Sequence, residues 1–317
     1  MPAARHVLPF DLFRFAAPYV PVEKFNFSRN VEVSNRLTYT LRADGRDIAF
    51  KILRSSSRRT GHAGTLPPLL LLHGMGLHIA SFRGLAEYLV DTMDLILPDY
   101  NGFAHDHGWP AGGMSVPLMA RIAVRLVEAL GLSCVNIGGS SLGGGMSLLA
   151  ATMKPSLFSR IVVLNPAIFP QPLPRFYRLT SVPVIGELVM SIIPPDQLVQ
   201  GVASIGYANP AMADPELLKI YGQNMALRSS RMKLMDVIRH LPRREADVGR
   251  YLAQVSKFAR PTLVIWGELD RLLVADAGRR LAEMLPNGQY AGLPELSHLP
   301  HEESPERVAR LILNFLK

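Results

Sequence analysis

Gly139-Ser140-Ser141-Leu142-Gly143 sets a serine between two glycines, directly after the apolar run Val135 to Ile137 and before the helix-forming stretch Gly144 to Met153. A strand that turns sharply into a helix at a serine presents the hydroxyl as a nucleophile, and the glycines leave room where side chains would clash. The helix that follows points its first amides at negative charge developing there. Ser140 occupies the x position and is expected to point away. A serine hydroxyl is a weak nucleophile at neutral pH, so a histidine must take its proton and an acid must hold the imidazole. Trp266-Gly267-Glu268-Leu269-Asp270 follows the apolar run Leu263 to Trp266 and puts Asp270 at the C-terminal edge of a strand, with Glu268 and Asp276 as rival acids. Ser297-His298-Leu299-Pro300-His301-Glu302 follows a strand-like stretch, Gln289 to Leu293, and offers two histidines; His301 lies nearer the fixed start of the final helix and His298 nearer the loop apex. His73-Gly74-Met75-Gly76 offers the amide of Met75 to an oxyanion, and Leu142, after the nucleophile, offers the other. Gly74, Met75, Ser140 and Leu142 are the expected substrate-binding residues.

These loops need strands behind them. Short apolar runs bounded by glycine mark strands buried on both faces, and such runs recur at Leu69 to Leu72, Leu95 to Leu97, Val135 to Ile137, Ile161 to Leu164 and Leu263 to Trp266. Between two of them, Leu118, Ile122, Leu126, Val127 and Leu130 share a helical face, with Ser115 and Pro117 near its start and Gly131 just past its end. The alternation predicts a doubly wound α/β sheet with right-handed crossovers. A hairpin precedes it, Glu32 to Leu41 returning over Asp47 to Leu53 through Ala43-Asp44-Gly45. After Leu164 the alternation stops for about ninety residues. That inserted block opens with seven prolines between Pro166 and Pro195, then predicts helices over Pro215 to Leu227, Ser230 to His240 and Glu245 to Phe258. Five of the thirteen methionines fall in it (Met190, Met212, Met225, Met232 and Met235), suited to an adaptable apolar wall or to filling a helical core. The last helix, Pro305 to Leu316, takes Ser304 as its N-cap.

Of the 317 residues 48% are hydrophobic and 19% charged, which excludes disorder as the main state. The formal charge of +8 comes from scattered residues, 27 Arg and 7 Lys, without a basic tract, so no nucleic-acid partner is expected. The longest uncharged stretches, Thr60 to Phe82 and Ala129 to Met153, are broken by Gly, Pro, His or Ser, and Asp11, Arg14 and Pro18 interrupt Leu8 to Val22. No membrane span, stable membrane insertion or secretory signal is therefore expected. Phe10, Phe13 and Phe15 in that last stretch are read as packing on the body. Cys134 allows no intrachain disulfide and reads as an inert core thiol, so the expected location is cytoplasmic. His105-Asp106-His107 has a metal-ligand spacing but no second cluster to complete a site, and no metal is expected. The sequence leaves a homodimer open.

Four motifs, HGMG at 73–76, GSSLG at 139–143, WGELD at 266–270 and SHLPHEESPE at 297–306, occur in this order. Together they resemble the capped α/β-hydrolases of the branch that includes small carboxylesterases, carbon–carbon bond hydrolases, epoxide hydrolases and haloalkane dehalogenases. The resemblance runs from Leu69 to the C-terminus. It implies an α/β-hydrolase core over 1–164 and 259–317, with an N-terminal arm over 1–30 and a helical cap over 165–258, inserted after the sixth core strand. It also implies a triad of Ser141, Asp270 and His298, and an oxyanion hole from Met75 and Leu142. No cofactor is implied. Three departures stand out. The loop after the second buried strand, Asp99-Tyr100-Asn101-Gly102-Phe103-Ala104-His105, keeps only the Asp and first Gly of the family pattern; the nucleophile is Ser where dehalogenases and epoxide hydrolases use Asp; and Asn165 stands where some relatives carry an alternative acid. The expected activity is hydrolysis of small hydrophobic esters with short to medium groups. Its rivals are a carbon–carbon hydrolase of diketone-like ring-cleavage products, an acyltransferase and a slow-turnover ligand-binding receptor.

Overall fold

Leu69–Leu72 is buried at all four positions, and its alternate residues serve opposite sides of one sheet: Leu70 and Leu72 join one apolar cluster, Leu69 and Leu71 another. A strand with no polar face can only lie inside a sheet covered on both sides. The computed structural model describes residues 13–15, 38–43, 46–53, 55, 66–99, 115–170, 174–241, 245–274 and 276–317. Their strands are β1 (Phe13–Phe15), β2 (Thr38–Ala43), β3 (Arg46–Leu53), β4 (Leu69–Leu72), β5 (Leu95–Asp99), β6 (Val135–Ser140), β7 (Phe158–Leu164), β8 (Thr262–Gly267) and β9 (Gly288–Leu293). They form one sheet in the order β1-β2-β3-β5-β4-β6-β7-β8-β9, antiparallel from β1 to β5 and parallel from β5 to β9. This is a mostly parallel, doubly wound α/β sheet.

Helices α1 (Arg83–Leu89), α2 (Val116–Ala129) and α3 (Leu142–Met153) fall between the early strands. Between β7 and β8 come α4 (Arg175–Thr180), α5 (Ile185–Ile192), α6 (Pro195–Gly206), α7 (Pro215–Ala226), α8 (Arg228–His240) and α9 (Glu245–Val255). Then follow α10 (Ala277–Met284), α11 (Pro300–Glu303) and α12 (Pro305–Leu316). One face of the sheet is covered by α2 and α3, through residues such as Ile122, Leu126 and Met146, and the other by α1 and α12, through Leu85, Leu89, Val308 and Ile312. Gly131 takes φ 62°, the left-handed conformation that ends a helix at low steric cost.

Several expectations change. The sheet gains an edge strand, β1, paired Phe13↔Leu41 with β2. From Arg175 on, the proline-rich opening of the inserted block is largely helical: Pro174 and Pro194 precede α4 and α6, and Pro195 is the first residue of α6, a position where its missing N–H leaves no bond unmade. Cys134 is exposed, not in the core, because it lies in the bend before β6 with φ 58°. Ser304 stands at the N-cap of α12 but its side chain makes no capping hydrogen bond. Of the five methionines, Met190, Met225 and Met235 are buried while Met212 and Met232 are exposed. The hairpin turn at 44–45, the arm apart from β1, the loop after Asp99 and His105-Asp106-His107 lie outside the described residues. Among the described residues no single helix is long and apolar enough to cross a membrane, and no group of three or more His, Cys, Asp or Glu could hold a metal ion.

Candidate active site

Ser141 sits between β6 and α3 with φ 55° and ψ −121°. A side chain in that region stores about 1–3 kcal/mol of strain and persists only where its neighbours hold it. They do: its N–H donates to Leu164 O at 2.9 Å, and its carbonyl accepts from Ala167 N at 2.9 Å and Gly144 N at 3.0 Å. The flanking glycines are required by contact, since a Cβ on Gly143 would lie 1.9 Å from Leu72 O and one on Gly139 2.5 Å from the same oxygen. Leu142 opens α3, so its amide has no acceptor within the helix.

Asp270 follows β8, and the structure sets it against His298: Nδ1 of the imidazole is 2.8 Å from Asp270 Oδ2. A carboxylate only accepts, so Nδ1 carries the proton and Nε2 keeps its lone pair. The other oxygen, Oδ1, accepts from the backbone amides of Leu272 at 2.8 Å and Leu273 at 3.0 Å. Burial pushes the Asp270 carboxyl up, but the hydrogen bond and charge of His298 and the two amides outweigh it, and the group stays below its usual range. The rival acids lie elsewhere: Glu268 accepts from Tyr290 OH at 3.1 Å, and Asp276 sits at the start of α10.

Asn165, which stands where some relatives carry an alternative acid, has a part here. Asn165, fully buried after β7 with φ 40°, donates from Nδ2 to Asp270 Oδ2 at 2.7 Å and accepts from Gly267 N at 2.8 Å. It thereby joins the ends of β7 and β8 to the carboxylate that meets His298. The only sequence signal was a hydrogen-bonding side chain at the end of a buried strand.

His301 belongs to the scaffold. Its Nε2 is 2.8 Å from Ser81 Oγ, while buried Nδ1 has no hydrogen-bond partner. Beside it Glu302 accepts from three hydroxyls, those of Ser81, of Tyr207 at the end of α6 and, at 2.7 Å, of Tyr221 on α7. Burial pushes Glu302 up and those hydrogen bonds offset only part of the rise. Glu303 accepts from Ala208 N at 2.7 Å and Ser297 N at 2.6 Å, and Leu299 N donates to Gly206 O at 3.0 Å. The loop that carries His298 is thus bonded to α6 and α7 on both sides. Glu302→Ala, which strips three buried hydroxyls of their acceptor, is expected to lower unfolding free energy by about 3 kcal/mol. Urea midpoints check this; Glu302→Gln, which keeps an acceptor oxygen, should lose less.

Under the 73–76 loop, His73 bridges Gly74 O at 3.0 Å and Asp99 at 3.2 Å, and His78 lies 3.5 Å from the other oxygen of Asp99. Burial pushes Lys51 down to about 8 and His78 to about 4, Asp99 countering part of the latter. Burial, helped by the nearby His298, pushes His301 down to about 3. Both imidazoles have folded values below the unfolded 6.5, so the stability they contribute is present above about 6.5 and is lost as pH falls through the folded values. Glu302, raised on folding, acts with the opposite sign. From about pH 7 to about pH 5 each histidine is expected to remove about 2 kcal/mol. Urea unfolding across that range checks it, and His301→Gln, which keeps a donor to Ser81, should make the slope distinctly shallower; an unchanged slope would exclude His301 as a cause.

Two cavities meet at Ser141. One, about 310 Å³, is lined by Met75, Leu142, Leu149, Val248 and Tyr251; the other, about 360 Å³, by Gly74, Met75, Val199, Met225 and His298. Of the residues expected to bind substrate, Gly74, Met75 and Leu142 each line one or both of these cavities. Ser140 does not: it is fully buried, lines neither cavity, and its hydroxyl has no hydrogen-bond partner, because the strand direction at β6 turns it into the core.

A family profile described as alpha/beta hydrolase fold matches residues 67–189. The chain has the α/β-hydrolase fold. Among its curated relatives is the uncharacterized hydrolase YugF of Bacillus subtilis (strain 168), 26% identical over 275 residues that span 86% of this chain and 96% of the relative. Another is a 2-hydroxymuconate semialdehyde hydrolase of Pseudomonas putida, also 26% identical, over 85% of this chain and 94% of that protein. Among solved structures, a thermophilic esterase from Thermogutta terrifontis superposes with a TM-score of 0.69 at 22% identity, covering 86% of this chain and 95% of that one.

Proposed function

We propose that this α/β-hydrolase is a serine esterase cleaving carboxylic esters of short to medium apolar groups. One observation carries the reading: Ser141, on its strained strand-to-helix turn, lines the same apolar cavity as His298, which is hydrogen-bonded to Asp270. Ser141 Oγ attacks the ester carbonyl while His298 Nε2 takes its proton. The amides of Met75 and Leu142 receive the oxyanion. On collapse the bond to the alcohol oxygen breaks, and His298 returns the proton to that oxygen. Water, deprotonated by the same nitrogen, then releases the acid and restores Ser141. The reaction draws on no cofactor. The helical block between β7 and β8 serves as the cap.

The test is turnover of p-nitrophenyl esters from acetyl to dodecanoyl together with fluorophosphonate labelling read by peptide mass spectrometry. Label on Ser141 and loss of turnover in proportion to labelling are expected. Label elsewhere, or turnover that survives full modification of Ser141, would sink the assignment. The relatedness to hydrolases of 2-hydroxymuconate semialdehyde supports a second reading, carbon–carbon cleavage of a diketone-like product by the same residues. Turnover of such a dienoate without ester turnover would favour it.

A further inference from the structure

The two cavities lie on different sides of Ser141, and only one holds the proton donor. The cavity between α3 and α9 carries Leu142 but not His298, whereas the cavity walled by α6 and α7 carries His298. Met75, Ser141, Pro174, Tyr177 and Leu272 line both and form the neck between them. In the tetrahedral adduct the acyl arm and the alcohol arm leave the central carbon in different directions. The nitrogen that took the proton of Ser141 must also reach the departing alcohol oxygen, so that arm lies on the histidine's side. From this we infer that the substrate is an ester with two apolar arms, its alcohol arm in the α6–α7 cavity and its acyl arm in the α3–α9 cavity, each arm selected by its own wall. The inference rests on the esterase reading above.

Chemistry along the walls fits that division. No Lys, Arg, Asp or Glu is among the described residues that line the α6–α7 cavity; Arg178, on the other side, is the one charged residue of either. A leaving fragment that ends in a carboxylate would be stripped of water there with no counter-charge, whereas an alkyl or aryl alcohol meets Val199, Val202 and Met225. The α3–α9 wall is likewise apolar beside Ser141, with Leu149, Val248 and Tyr251. Some relatives are named for hydrolysis of a dienedioate, a diacid, and the described lining of this cavity carries no Lys or Arg to pair a carboxylate.

Two half-buried positions make the test, Leu241 on the acyl side and Val202 on the alcohol side. Wild type, Leu241→Trp and Val202→Trp are assayed by pH-stat on two ester series: acyl groups lengthened from acetyl to dodecanoyl on ethanol, and alcohols lengthened from ethyl to decyl on acetate. Leu241→Trp is expected to lower kcat/KM for long acyl chains by about tenfold or more relative to acetyl, leaving the alcohol series within about twofold. Val202→Trp is expected to do the reverse. Leu241→Ala and Val202→Ala, which open the same walls, should move the optimum of the matching series alone to longer chains, and they keep the test valid if a tryptophan variant fails to fold. A crossed pattern, or variants that act alike on both series, overturns the placement of the arms. Fluorophosphonate labelling separates the two failures. No label on wild-type Ser141 and no turnover removes the esterase reading itself, while a labelled, active enzyme with a crossed pattern removes only the arms.

Discussion

Ser141→Ala is expected to fold as the parent does and to lose about 10⁵- to 10⁶-fold in kcat on p-nitrophenyl butyrate, with no fluorophosphonate label on the tryptic peptide that carried it. The hydroxyl is the only group that changes, and it caps nothing: the start of α3 has no side-chain capping bond, and the turn is held by backbone bonds from Leu164, Ala167 and Gly144. Alanine bears the same backbone strain at φ 55°, so the midpoint in urea should move by less than about 0.5 kcal/mol equivalent. Some acceleration over water should survive, because the amides of Met75 and Leu142 still meet a tetrahedral oxygen when water attacks directly. Turnover above about one hundredth of wild type would place the nucleophile elsewhere.

The parts of this fold that repeat a simple physical rule were legible in the chain. Buried parallel strands tend to be apolar on both faces, and β4, β5, β7 and β8 show as short apolar runs, with β6 interrupted by Asn136. Ser141 and Asp270 follow such runs, whereas the loop of His298 follows β9, which is neither unbroken nor fully buried, and the choice of His298 over His301 leans on its place near the loop apex and on the family resemblance. What failed to show depended on contacts between distant segments. The prolines after β7 read as a break in regular structure, yet Pro174, Pro194 and Pro195 stand where helices begin, and only the packing of α4 and α6 on their neighbours tells a helix start from a loop. Cys134, an apolar residue one position before a strand, reads as part of it until the bend at φ 58° turns it outward. Ser140, expected both among the binding residues and to point away, is sent by alternation along β6 into the core and away from both cavities.

Asn165 shows the same limit at the site itself. Its role depends on a partner 105 residues away, Asp270, and on Gly267, whose amide and carbonyl it meets at 2.8 and 3.2 Å. No local pattern encodes a pairing of two strand ends. The buried carboxyl of Glu302 is similar: an exposed-looking Glu-Glu pair in the sequence turns out to fasten the His298 loop to α6 and α7 through Tyr207, Tyr221 and Ala208.

That setting makes Asp270→Asn the second large loss, about 10⁴-fold in kcat. The amides of Leu272 and Leu273 demand an oxygen at Oδ1, so the new amide must turn its NH₂ to the place of Oδ2. There it meets two groups that now donate, His298 Nδ1 and Asn165 Nδ2. The imidazole can answer only by moving its proton to Nε2, which removes the lone pair that Ser141 needs, and Asn165 is left donor against donor. Asn165→Ala keeps the carboxylate and the correct tautomer while removing one bond to Oδ2, so its loss should be nearer tenfold, with a stability cost of about 1–3 kcal/mol from the orphaned Gly267 groups. The two variants therefore separate proton placement from positioning. Steady-state kinetics on one short ester decides it: Asp270→Asn retaining more than about one hundredth of wild-type kcat, or Glu268→Gln losing more than Asp270→Asn, would move the acid away from Asp270.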